Sequence, residues 1–68
     1  MATANDDRVI IEFIWRGAYV KVSAIDPSTG DEVSIVGDPA RGEASLKQTA
    51  VRKLRYVQQK NKEKGSRP

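Results

Sequence analysis

The sequence predicts an α+β fold: a three-stranded antiparallel β-meander packed in two layers on one C-terminal α-helix. Three observations lead there. Residues 8–37 are rich in Val, Ile and aromatic side chains, as strands are. Two clusters of turn formers, Arg16-Gly17 and Asp26-Pro27-Ser28-Thr29-Gly30, cut that stretch into three runs. Beyond Gly37 the apolar residues change to helical spacing, with Leu46, Ala50, Leu54 and Val57 on one face and Val51 at its flank.

The first two strands should meet at Arg16-Gly17, where glycine supplies the positive φ of a two-residue hairpin loop. With Trp15 facing Ala18, the pairs Phe13–Val20, Ile11–Val22 and Val9–Ala24 fall on one face. Ile14–Tyr19, Glu12–Lys21 and Ile10–Ser23 fall on the other, which sets opposite charges across from each other. The second turn is stronger. Asp26 accepts bonds from its own turn, Pro27 presets φ and Gly30 provides the exit, so a four-residue loop places Asp26 opposite Asp31. Ala24–Val33 and Val22–Ile35 then join the apolar face. A slip of one residue in either strand would turn every side chain to the wrong side. The expected core face is therefore Val9, Ile11, Phe13, Trp15, Ala18, Val20, Val22, Ala24, Val33 and Ile35, with Trp15 held against the helix near Leu54 or Val57.

Asp38-Pro39 reads as a turn or a helix start, and the helix is expected over about residues 43–60. Ser45 with Gln48 fits a capping box, and Gly42-Glu43 fits equally well as the first turn. Residues 1–7 and 62–68 are polar and aperiodic and read as disordered tails, the second one basic. A single domain over 8–61 remains.

Composition bounds the function. The 68 residues contain no cysteine and no histidine, which removes disulfides, thiolate metal sites, thiol nucleophiles and imidazole chemistry. No cofactor is implied. The longest apolar runs are three residues, as at Val9-Ile10-Ile11, far short of the roughly 20 residues a membrane span needs, and no secretory signal is visible at the start. A cytoplasmic protein is expected. Domains this small gain stability from disulfides, metals or self-association, and only the last suits this composition.

The net charge of +3 hides an asymmetry: residues 1–42 carry four bases and seven acids, whereas 43–68 carry eight bases and two acids. No nucleophile or phosphate-loop motif occurs; 37–42 has two glycines but lacks the Lys-Ser/Thr that would follow. Asp26, Asp31 and Glu32 gather at one hairpin tip, where a turn with solvated charges explains them better than a weak cation site. A non-enzymatic protein is expected.

Two surfaces stand out. The outer sheet face would expose Ile10, Ile14, Tyr19, Ile25 and Val36, an apolar patch suited to a protein partner or a second copy of the chain. The helix side away from the core aligns Gln48, Arg52, Arg55, Gln59 and Lys62. With Lys47, its bases Arg52, Arg55 and Lys62 offer phosphate contacts for weak, non-specific nucleic-acid binding. Any helix docked by one face shows charge on the other, so a solvated face is the simpler explanation. Protein interaction is the first functional expectation and nucleic-acid binding the alternative.

The run Val22-x-Ala24-Ile25-Asp26-x-x-Thr29-Gly30-x-Glu32-Val33-Ser34-Ile35-Val36-Gly37, followed by Ala50-x-Arg52-Lys53-Leu54-x-Tyr56-Val57, resembles a family of small uncharacterised proteins, mostly from alphaproteobacteria. The resemblance spans about residues 8–58. It implies a small cytoplasmic protein without an assigned activity, and it assigns no catalytic or binding residue.

Overall fold

The computed structural model describes residues 8–65, with side chains described as far as residue 61. The elements follow the predicted order. Strands β1 (Ile10–Arg16), β2 (Tyr19–Asp26) and β3 (Asp31–Gly37) precede a short 3-10 turn (Pro39–Arg41) and one helix, α1 (Glu43–Gly65). The sheet is an antiparallel meander, β1-β2-β3. The expected disordered tail at 1–7 lies outside the described residues. At the other end α1 continues to Gly65, past the 62 at which the second tail was placed.

The β2–β3 register is the predicted one, with Asp26 opposite Asp31, Ala24 opposite Val33 and Val22 opposite Ile35. The turn residues set it. Asp26 carbonyl oxygen accepts from the amides of Thr29 (3.2 Å) and Gly30 (2.8 Å), and its carboxylate accepts from the Ser28 amide at 3.0 Å.

The β1–β2 register differs from the expectation by one turn position. Arg16 faces Tyr19, Trp15 faces Val20, Phe13 faces Val22 and Ile11 faces Ala24, so the loop is Gly17-Ala18 rather than Arg16-Gly17. A loop of Arg16-Gly17 in the I′ form would force positive φ on arginine as well. Moving the loop one residue on puts Gly17, with φ of 59°, at the first central position, where the II′ form needs it. The shift moves partners by two and so keeps each strand residue on its predicted face, but Ala18, expected in the core opposite Trp15, becomes an exposed loop residue. It does undo the Glu12–Lys21 pairing, because Glu12 faces Ser23 and Lys21 faces Ile14.

The core lies between α1 and the inner faces of β2 and β3: Val20, Val22, Ala24 and Val33 from the sheet, and Leu46, Ala50 and Leu54 from the helix, all buried. Val9, Ile11, Phe13, Ile35 and Val57 pack around it half-buried. Gly37 permits the closest approach, since a β-carbon there would overlap Leu46 Cδ2. The helix starts at Gly42-Glu43, where Leu46 donates to the Gly42 carbonyl at 3.1 Å. Ser45 is inside the helix, its carbonyl accepting from Thr49 Oγ1.

Trp15 corrects the predicted core. It lies on the helix side of the sheet, opposite Val20, yet 55% of its surface is exposed. The reason is the course of α1. Leu46 sits against Gly37, at the end of β3, and Gln58 reaches Asp26, at the far end of β2. A helix about 10 Å wide on strands about 4.8 Å apart covers roughly two strands. Here those are β2 and β3, and the Trp15 end of β1 extends beyond it.

Candidate interaction site on the β1 edge

Strand β1 reads Ile10-Ile11-Glu12-Phe13-Ile14-Trp15-Arg16, apolar at five of seven positions and therefore apolar on both faces. On the outer face Ile10 is 51% exposed and Ile14 half-buried. On the helix side Ile11 and Phe13 are half-buried, and the Phe13 and Trp15 rings stack with centroids 5.6 Å apart and planes 20° from parallel. This stack is an aromatic shelf beside the helix.

Among the described residues the outer backbone edge of the same strand is uncovered. A two-residue loop makes Arg16–Tyr19 a pair that exchanges hydrogen bonds, and the alternation of an antiparallel ladder then turns Arg16, Ile14, Glu12 and Ile10 toward β2. The amides and carbonyls of Ile11, Phe13 and Trp15 point away from the sheet. The opposite edge is treated differently. Lys53, reaching from α1, donates to the Ser34 carbonyl of β3 at 2.9 Å, one of the ways proteins blunt an edge. Among the described residues no side chain does this for β1.

The predicted outer patch is divided. Ile10 and Ile25 stand directly opposite each other, so these two do come together. Ile14 instead flanks Lys21, which has Val36 on its other side, and Tyr19 faces Arg16 near the turn. A polar row of Glu12, Ser23 and Ser34 crosses between the two groups, with the serine hydroxyls bonded at 3.1 Å. Sequence reasoning missed the helix-side part of the surface by assigning Trp15 to the core, whereas Phe13 does pack against it. Its signal was the loss of polar alternation in β1.

The basic helix face is also altered. Lys47 and Arg52 are exposed on α1, and the Lys62 side chain lies outside the described residues. Arg55 is not part of a free stripe. Its Nη1 donates to Asp26 Oδ2 at 3.3 Å and to Gln58 Oε1 at 2.7 Å. Asp26, buried at the end of β2, also accepts from Gln58 Nε2 at 2.8 Å and Ser28 Oγ at 2.7 Å. The Gln58 amide, the Ser28 hydroxyl and amide, and Arg55 together hold its carboxyl well below the usual aspartate range, against the opposing effect of burial. An ionised carboxylate whose oxygens are bonded in this way is a clamp between hairpin and helix. Asp31, a second acid at this tip, accepts from Thr29 Oγ1 at 3.0 Å.

The model of one protein family, a domain of unknown function (DUF6898), matches residues 6–61. The chain belongs to the DUF6898 family. The match covers β1, β2, β3 and α1 up to residue 61, so the open β1 edge lies wholly within the family domain. It agrees with the expected family of unassigned activity and carries no information on source. No curated protein matches the DUF6898 chain, and no solved structure does. No helix among its described residues is long and apolar enough to cross a membrane.

Proposed function

We propose that this DUF6898 domain is a non-catalytic, cytoplasmic protein-interaction module that docks through the flank of β1. One observation carries the reading: among the described residues β1 has an open backbone edge with exposed apolar side chains on both faces, while α1 lies over β2 and β3. Long apolar edges promote pairing and are normally blunted when they have no partner. Ile10, Ile14 and Trp15 make the principal contacts, with Ile25 extending the surface beside Ile10; Tyr19 and Val36 lie at its margin. A role for the basic helix face is less well supported, because Arg55 is engaged by Asp26.

Site-specific photocrosslinking in cells tests this. A photoreactive phenylalanine analogue replacing Trp15 should give a discrete protein adduct, whereas the same analogue replacing Arg52 should give none. Nucleic-acid adducts from position 52 with no adduct from position 15 would favour the helix face instead.

A further inference from the structure

We infer that the occupant of the β1 edge is the β1 edge of a second copy, paired antiparallel about a twofold axis at Ile14; this rests on the interaction reading above. The strand's own residues select that register. Only Ile11, Phe13 and Trp15 direct backbone groups outward, so a self-paired edge must match odd-numbered residues with odd-numbered ones to form its bonds. That leaves a few registers, which differ in the side chains they oppose. Centring on Glu12 sets two carboxylates against each other. Centring on Phe13 sets Glu12 against Ile14, and centring on Trp15 sets Arg16 against Ile14.

Centring on Ile14 opposes Glu12 to Arg16 of the partner subunit, twice by symmetry. It is the register that pairs the strand's two charges with each other. On the helix side the same register places Phe13 opposite Trp15 of the partner subunit, also twice. The aromatic shelf that α1 leaves open in one copy is thereby continued by the other. Ile14 meets Ile14 of the partner subunit at the axis, in a position without direct backbone bonds, where side chains approach most closely. The result is a six-stranded antiparallel sheet with both helices on one side and a Lys53-blunted β3 at each end. The contact is isologous, so it closes at two copies. Of the seven-residue edge this register pairs Glu12 to Arg16, at the small end of interface sizes, which makes the association weak and concentration-dependent.

The chain has no native cysteine, so single thiols report the register directly. Under mild oxidation Ile14→Cys should form a disulfide dimer, because paired residues at this kind of position sit about 4.5 Å apart, within disulfide reach. Phe13→Cys, opposite Trp15 of the partner subunit, should form no disulfide crosslink. In sedimentation equilibrium the unmodified chain should show a monomer–dimer equilibrium, and Glu12→Arg or Arg16→Glu alone should weaken it by tenfold or more. The double variant Glu12→Arg/Arg16→Glu should restore it, which no loss of folding would do. A dimer crosslinked through Phe13→Cys, or one indifferent to the charge reversals, would overturn this pairing without touching the interaction reading. A chain monomeric at all concentrations would also overturn it. The interaction reading itself fails only if position 15 yields no protein adduct in cells.

Discussion

The carboxylate of Asp26 accepts from the side-chain amide of Gln58 at 2.8 Å across 32 residues of sequence. This bond, with Arg55 beside it, fastens the last turns of α1's covered face to the tip of the second hairpin. It uses a turn aspartate as a structural anchor and orients the helix over β2 and β3. The uncovered flank of β1 follows from that placement.

Stability should therefore depend on the charge of Asp26. Its carboxyl is held below the ordinary value in the fold, so its contribution is complete above the unfolded value of about 3.9. The contribution is lost progressively as pH falls below that value toward the folded one. Urea midpoints measured from neutral to acid pH should fall more steeply for the native chain than for Asp26→Asn. Parallel curves would show that Asp26 is not linked to folding.

Leu54 and Trp15 should behave in opposite ways. Leu54 is fully buried, and Leu54→Ala should cost roughly 2–5 kcal/mol, a large part of the stability of so small a domain. Trp15→Ala removes an exposed ring and one stacking contact, and should cost about 1 kcal/mol or less, as read by chemical denaturation of dilute protein.

Gly37→Ala should destabilise by about 1–3 kcal/mol, since the added carbon meets the buried Leu46 side chain. Gly37→Ala combined with Leu46→Val should lose less than the sum of the two single changes, because the smaller side chain relieves the overlap. Thermal or urea melts of the three variants check this.

What was legible in the sequence was pattern; what was not was coverage. The Asp26 to Gly30 turn pinned β2–β3 because several residues agreed on one geometry. Arg16-Gly17 left one degree of freedom, which loop came first, and the cost of positive φ at arginine settled it at Gly17-Ala18. Periodicity assigned Trp15 to the correct face, but it carries no information on which strands a helix will cross. The same limit hid the aromatic shelf and made the outer patch look continuous, because the row of Glu12, Ser23 and Ser34 forms only in the shifted register. Arg55 looked like part of a solvated face and Gln58 gave no signal at all, since Asp26 seemed fully used by its turn.

The central claim is that the outward edge of β1 is a site of pairing. Amide hydrogen exchange followed by NMR, in dilute and in concentrated protein, tests it most directly. The outward amides of Phe13 and Trp15 should exchange fast when dilute and become protected on concentration, while those of Val20, Val22 and Ala24 stay protected throughout. Outward amides that exchange equally fast at every concentration, in a chain that nevertheless dimerises, would contradict the account.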